Sequence, residues 1–290
     1  MLGKLLRREI RKTVATPQAR TAAPAADLPE TGGTRQFNAV AECRHGLMVF
    51  NVNDRYIGRA LEVYGEYMQA EVELFEHVIA PGDTVIDAGA NIGAHTLYFS
   101  KRVGDEGRVH AFEPQRIVFQ TLCANVALNS ALNVFAYQAA LGASAGEIVV
   151  DIPDYTRENN FGGMPLGEWQ SGERAPVTTI DALALDRCDF VKIDVEGMEQ
   201  AAIDGARRTL ERLRPVLYVE NDRPEHAAAL VALIRSLGYS LHWHVPPYFN
   251  SANFNGVAEN QFGNIAARNM LCMPAGRPLP PAAAGLAPVA

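Results

Sequence analysis

The amino-acid sequence predicts an α/β fold: a mostly parallel sheet with helices on both faces and an antiparallel pair at one edge. Three observations carry this reading. Apolar strand candidates alternate with helix candidates along the chain, the pattern of a parallel sheet covered on both sides. The first of them carries Val85 and Ile86, apolar and β-branched without polar alternation, as a strand buried on both faces should be. It runs straight into a glycine-bearing turn, Asp87-Ala-Gly89-Ala90-Asn91-Ile-Gly93, and a helix, and the next strand ends on an acid, Glu113, followed by Pro114.

Taken in order, Gly46–Asn53 reads as a strand, and residues 66–80 as a helix closed by the Pro81-Gly82 turn. A helix from Ile92 keeps Thr96, Phe99 and Val103 at helical spacing. The helix over 116–129 has Val118, Leu122 and Val126 as its inner stripe. Residues 134–138 and 147–151 are strand candidates. A polar stretch, 152–175, interrupts the alternation and has the character of a lid, a binding loop or a disordered segment. Strands are expected at 177–180, at Phe190–Asp194 and at Pro215–Glu220. Between the last two lies one helix with Ile203, Ala206, Leu210 and Leu213 on a face. Helix 224–237 places Leu230, Leu233, Ile234 and Leu237 at i, i+3, i+4 and i+7. Residues 241–245 and 269–273 form the expected antiparallel edge pair.

A chain of 290 residues with 48% hydrophobic residues can bury one substantial core. Its net charge of −7 argues against nucleic acid as a partner, since that needs a basic face. Residues 1–36 read as a basic, then Ala/Pro-rich, disordered tail. Leu2, Leu5, Leu6 and Ile10 among its Lys and Arg suit a short amphipathic helix for peripheral contact with an anionic membrane; a solvated tail is the preferred reading because the segment is short. Residues 37–80 are an extension on the core, 81–274 the ligand-binding domain, and 275–290 a second disordered tail. No apolar run reaches membrane-span length. Cys43, Cys123, Cys188 and Cys272 have no paired spacing and read as reduced thiols of a cytoplasmic protein.

The turn after the first central strand selects among cofactors. A pyrophosphate cradle wants Gly-x-Gly-x-x-Gly, and Asn91 stands where the middle glycine belongs. An asparagine side chain obstructs a pyrophosphate but can bond an amino acid's carboxylate or amine. Asp87 at the strand end disfavours phosphate and suits an ammonium or a sulfonium, while Glu113 stands where ribose hydroxyls are held. S-adenosylmethionine combines these groups. An NAD-dependent oxidoreductase and a non-catalytic scaffold are the competing readings. In a sheet of this kind Asp87, Glu113, Asp194 and Glu220, each at a strand end, share one rim; Glu220 is the one expected to be merely structural.

The run Val85–Gly93, then Ala111-Phe-Glu113-Pro114, then Val191-Lys-Ile-Asp194-Val-Glu196-Gly197-Met-Glu199, resembles the FkbM-type methyltransferase family. Gly65-Glu66-Tyr67, Asn160-Phe-Gly-Gly163 and Asn269–Pro274 fit the same pattern, so the resemblance spans about 64–274. It implies a Rossmann-like class I methyltransferase fold, with a mostly parallel seven-stranded sheet, and O-methylation of hydroxyls by S-adenosyl-L-methionine. By position, Gly89, Ala90, Asn91 and Gly93 lie along the cofactor's methionine part with Asp87. Glu113 and Pro114 meet its ribose, and Asp194 stands beside the transferable methyl.

Methyl transfer to a hydroxyl calls for alignment and for a group that takes the proton. Asp194 and Glu196 are the first candidates, and His95 is the best placed histidine. The same pair of acids is also a start on a cation site, but no third ligand stands out, and no metal is expected. Asn160 and Gly162 in the polar stretch, and Tyr248 and Asn253 in the amide- and aromatic-rich run 246–262, are the candidate acceptor contacts. Their chemistry favours a sugar, glycan or other small-molecule acceptor over a charged metabolite.

Overall fold

The structure is a computed structural model that describes residues 37–167 and 169–290. The tail 1–36, and the amphipathic segment within it, lie outside the described residues. An antiparallel hairpin, β1 (Asn38–Cys43) and β2 (Gly46–Asn51), opens the described chain. Two short helices follow, α1 (Ile57–Tyr64) and α2 (Gln69–Phe75). The central elements are β3 (Thr84–Ala88), α3 (Ala94–Val103), β4 (Arg108–Phe112), α4 (Arg116–Leu128) and β5 (Val134–Tyr137). A small sheet is then made by β6 (Ala140–Leu141), β7 (Gly146–Val150) and β8 (Glu173–Thr178). The chain returns to the central sheet with β9 (Phe190–Ile193), and continues through α5 (Glu199–Asp204), α6 (Arg207–Leu213), β10 (Val216–Glu220), α7 (Pro224–Ser236), β11 (Tyr239–His244) and β12 (Asn269–Pro274).

The central sheet has seven strands in the order β11-β12-β10-β9-β3-β4-β5. Its pairings are parallel from β10 to β5, and β12 runs antiparallel to both β10 and β11. The expected Rossmann-like sheet is therefore present, with β11 at its edge. Successive strand residues feed opposite cores, as the two-residue period requires. Val85, Phe190, Val216 and Tyr218 pack with α2 and α3, whereas Ile86, Val191, Leu217 and Val219 pack with α5, α6 and α7. From β3 the chain proceeds outward to β5 and then crosses back to β9 on the other side of β3. The crevice at this reversal is where such sheets bind ligands.

Three expectations need correction. The single helix after Asp194 is two, because Gly205 passes so close to the Gly142 carbonyl that a Cβ there would lie 2.0 Å from its oxygen. The strand candidates at 147–151 and 177–180 belong to the small separate sheet, β8 beginning at Glu173 inside the stretch read as a loop. Residues 275–290 are not a free tail. Val289 N–H donates to Leu241 O at 2.9 Å and Trp243 N–H to Ala287 O at 2.7 Å along the outer edge of β11, and Ala283 is fully buried. This segment blunts a sheet edge that would otherwise carry unpaired backbone groups. Among the described residues no helix is long and apolar enough to cross a membrane.

Candidate active site

A cavity of about 260 Å³ opens at the carboxyl ends of β3, β4, β9 and β10. Gly89, Ala90, Asn91, Glu113, Pro114 and Asp194, all expected to meet the cofactor, line it. Glu196, His95, Asn160, Gly162 and Tyr248 line it as well. Three expected residues do not. Asp87 is wholly buried behind the turn, where its Oδ2 accepts the Thr96 hydroxyl at 2.6 Å and fixes α3 against β3. Gly93 starts α3. Asn253 is buried in its own loop, its amide donating to Asn250 O and Val257 O, so it shapes the 250–257 loop instead of facing an acceptor.

The turn after β3 is built by close backbone approach. Gly89 has φ +76°, and a Cβ there would lie 1.7 Å from the Asp194 carbonyl oxygen. Asp194 N–H in turn donates to Ala88 O at 3.1 Å, so the ends of β3 and β9 are locked side by side. Glu113, the acid that ends β4's run, holds this turn from the other side. Its two oxygens accept Asn91 N–H at 3.1 Å and Gln115 N–H at 2.8 Å. Burial raises its carboxyl to about 7 against the pull of those two amides. Residues 160–166 close over this part of the site. Gln115 Nε2 donates to Phe161 O, and Leu166 N–H to Glu196 O, while Gly162 leaves room for the Asn91 amide.

A buried cation underlies the other wall. Lys192, 3% exposed in the middle of β9, reaches Asp194 Oδ2 at 2.9 Å. Burial works against its charge, but Asp194, Asp87 and Glu71 together outweigh it and raise the ammonium's pKa. Glu71 of α2 is buried too, and burial, partly offset by Lys192, lifts its carboxyl to about 8. His95 Nε2 stands 3.3 Å from Glu71 without a hydrogen bond. Burial, then Lys192, push the imidazole well below its ordinary value, so it is neutral and a poor proton acceptor.

Beyond Asp194 the chain makes a sharp turn in which Glu196 and Gly197 both adopt positive φ. Glu199, at the start of α5, secures it by accepting the N–H groups of Val195 and Gly197. Arg223 Nη2 meets Glu196 Oε2 at 2.9 Å. The Glu220 carboxylate at the end of β10 joins the group, and one oxygen each of Asp194, Glu196 and Glu220 lie within 4.8 Å of one another. Glu220, expected to be structural, thus faces the site. Lys192, Tyr67, Gln115, Asp222 and Arg223 line the cavity and were not anticipated. A lysine inside the otherwise apolar Phe190-Val-Lys-Ile strand was the signal for the first of them.

The comparison with known proteins agrees with this geometry. A profile for the methyltransferase FkbM domain matches residues 87–241, which takes in the glycine turn, Glu113, Asp194 and Glu220. The chain belongs to the FkbM methyltransferase family. It is 28% identical over 253 residues to the 31-O-demethyl-FK506 methyltransferase FkbM of Streptomyces tacrolimicus, covering 74% of this chain and 94% of that one. It is 27% identical over 191 residues to methyltransferase sdnD of Sordaria araneosa, covering 54% and 73%. A solved methyltransferase FkbM from Methylobacillus flagellatus KT superimposes with a TM-score of 0.44 at 19% identity; the match covers 70% of this chain and spans half of that one. The donor of this family is S-adenosylmethionine, and the residues present fit it. The crevice has a glycine cradle where a Cβ cannot stand, a buried carboxylate at the ribose end and a group of carboxylates at the Asp194 end.

Proposed function

We propose that this methyltransferase transfers its methyl group to a hydroxyl oxygen of a sugar, a glycan or a related natural product. The observation that carries the reading is the placing of Glu196 beside Asp194 on the cavity wall. Burial, then the charge of Asp194, push the Glu196 carboxyl up from its ordinary range, with Arg223 opposing them. A carboxylate of raised proton affinity is what an alcohol acceptor needs, because an alcohol is a weak nucleophile until its proton is taken. Supporting the acceptor class, Asn160, Tyr56, Tyr67 and Tyr248 line the same cavity and offer amide and aromatic surfaces to a hydroxylated ring. The Streptomyces tacrolimicus relative bears a name that specifies 31-O-demethyl-FK506, an oxygen acceptor.

In this reading S-adenosylmethionine supplies an electrophilic methyl on its sulfonium. Glu113 and the Gly89–Asn91 backbone would hold its ribose and methionine ends. Lys192 holds the Asp194 carboxylate in place at the cavity wall. Glu196 would take the proton of the acceptor hydroxyl as its oxygen takes the methyl, with S-adenosylhomocysteine as the leaving group. Tyr67, Tyr248 and residues 160–166 would exclude water. Alignment of acceptor and donor is worth roughly 7–11 kcal/mol relative to free reactants, and base assistance on the order of 10²–10⁴-fold.

The test is an acceptor panel of sugars, oligosaccharides, lipids, peptides and macrolide polyketides with isotopically labelled S-adenosylmethionine, read by mass spectrometry. Label on a sugar oxygen supports the proposal. Label confined to a lipid, peptide or polyketide would move the acceptor class, and label on nitrogen or carbon would end the O-methylation reading.

A further inference from the structure

A second hollow, of about 460 Å³, adjoins the active-site cavity, and Tyr56 lines both. Three segments outside the central sheet build it. The turn from β2 into α1 brings Val52 and Arg55, a loop after β7 brings Glu158, and the connection between β11 and β12 brings Phe262 and Ile265. These segments are tied together. Arg55 N–H donates to Asn159 O at 2.9 Å, and Asn159 N–H to Asn53 O at 3.0 Å. The Tyr64 hydroxyl of α1 donates to Glu259 O at 3.0 Å and accepts Gln261 N–H at 2.8 Å, which fixes the other wall. The hollow is a formed feature of the fold, as small-molecule sites largely are.

A row of rings joins the two spaces. Tyr67 and Tyr248 line the active-site cavity, Tyr56 lines both spaces, and Phe262 lines the hollow. Ring centroids are 5.8 Å apart from Tyr67 to Tyr248, 5.7 Å from Tyr248 to Tyr56 and 6.4 Å from Tyr56 to Phe262, so the row is unbroken. The charges at the rim are balanced. Arg55 meets Glu158 at 2.9 Å, while Arg59 meets Glu62 at 2.6 Å and the Gln261 amide oxygen at 3.0 Å. With each of these guanidinium groups matched by a carboxylate, the hollow disfavours an ionic ligand. It offers donors, acceptors and aromatic surface to a neutral, hydroxylated one.

We propose that this hollow holds the ring next to the one being methylated, so that the acceptor is an oligosaccharide or glycan chain of two or more neutral rings and not a free monosaccharide. The assignment rests on the sugar-acceptor reading above and extends it. A ring seated against Phe262 and Ile265 contributes binding energy away from the reacting oxygen, and such remote energy raises kcat/KM by holding the reacting ring in line. Val52, Phe262 and Ile265 lie outside residues 87–241, the part that the family profile matches. Acceptor length is thus selected by loops carried on the methyl-transfer scaffold.

The experiment offers the full-length protein methyl glycosides of the common hexoses, 6-deoxyhexoses and pentoses, with one, two and three rings, and isotopically labelled S-adenosylmethionine. Ile265→Trp and Val52→Trp are compared with wild type, since both positions are exposed on the hollow and a larger side chain there would fill it. The expected result is a kcat/KM about tenfold to hundredfold higher for two rings than for one, the worth of a group well seated in a pocket, with little further gain from the third. Each Trp variant should lose most of that ratio while its melting temperature and S-adenosylhomocysteine affinity hold. Equal kcat/KM for one ring and two overturns the assignment and leaves the sugar-acceptor reading intact. A two-ring preference that the folded variants keep overturns it also. Absence of label from every sugar, in a protein that binds S-adenosylhomocysteine, would overturn the sugar-acceptor reading itself and this assignment with it.

Discussion

Lys192 Nζ lies 2.9 Å from Asp194 Oδ2, and the two residues occupy the last turn of the pleat before the catalytic crevice. The lysine is almost wholly buried and is surrounded by acids from three elements: Glu71 of α2, Asp87 of β3 and Asp194 after β9. It is therefore both a keystone of charge balance and the group that orients Asp194. Replacing it by Met leaves the buried Asp87 and the half-buried Asp194 without their counter-charge. Lys192→Met should lower stability by roughly 3–5 kcal/mol, the cost of breaking a buried pair. Chemical denaturation measures this directly. Under conditions where the variant remains folded, the rate of methyl transfer should fall more than S-adenosylhomocysteine affinity, because orientation of Asp194 is lost while Glu113 and the glycine turn persist.

Gly89 and Gly104 separate two costs of the left-handed backbone. Both have positive φ, +76° and +67°. A Cβ at Gly89 would collide with the Asp194 carbonyl oxygen at 1.7 Å, whereas a Cβ at Gly104 meets nothing within 4 Å. Gly104→Ala should cost only backbone strain, about 1–3 kcal/mol for its φ +67°, ψ −171° conformation. Gly89→Ala must push β3 and β9 apart at their carboxyl ends, and should abolish S-adenosylhomocysteine binding and depress stability by considerably more. Parallel melting curves and calorimetry on the two variants check both outcomes.

Much of this site was written in local sequence. Strands buried on both faces read as apolar runs, and the acids at their ends, Glu113 and Asp194, fall on one rim because parallel strands end on one side. That Glu220 shares this rim was legible too, but not that it stands against Asp194 and Glu196 in the cavity, since that depends on β10 lying beside β9, and strand order is not a local pattern. Burial was equally hidden. Nothing around Asp87 or Asn253 distinguishes an acid that faces a ligand from one that ties down a helix, or an amide that meets an acceptor from one that closes its own loop. The segment 275–290 is rich in Pro and Ala and has weak local propensity. It is ordered by the edge of β11, a tertiary partner that composition cannot show.

Cofactor binding should depend on pH through Glu113. Its carboxyl is raised to about 7 by burial, and the anion accepts hydrogen bonds from hydroxyls and backbone more strongly, and at more sites, than the neutral acid. Affinity for S-adenosylhomocysteine should be constant above about pH 8 and decline as pH falls through 7. Glu113→Gln should bind about tenfold to hundredfold more weakly at pH 8, the worth of hydrogen bonds to a charged group, roughly 1.5–3 kcal/mol. It should also lose most of the pH dependence. Calorimetry at a series of pH values decides this; a wild-type affinity that is flat from pH 6 to 8.5 would remove Glu113 from contact with the cofactor.

Glu71 makes a separate prediction about stability. Its carboxyl titrates near 4.5 when exposed and is raised to about 8 in the folded chain, chiefly by burial. Between those values the folded state keeps a proton that the unfolded chain has released, so stability falls as pH rises across this window. Its contribution is fully present below pH 4.5 and lost by about pH 8. Glu71→Gln retains an oxygen to accept the Asn269 amide, now 2.7 Å from Glu71 Oε1, and removes the titration. At pH 5 the variant and wild type should melt within a degree or two of each other. By pH 8.5 the variant should melt higher by several degrees, since roughly 1 kcal/mol corresponds to about 2–4 °C in a chain of this size. A constant difference in melting temperature between pH 5 and pH 8.5 would mean that Glu71 is ionised throughout, with Lys192 outweighing its burial.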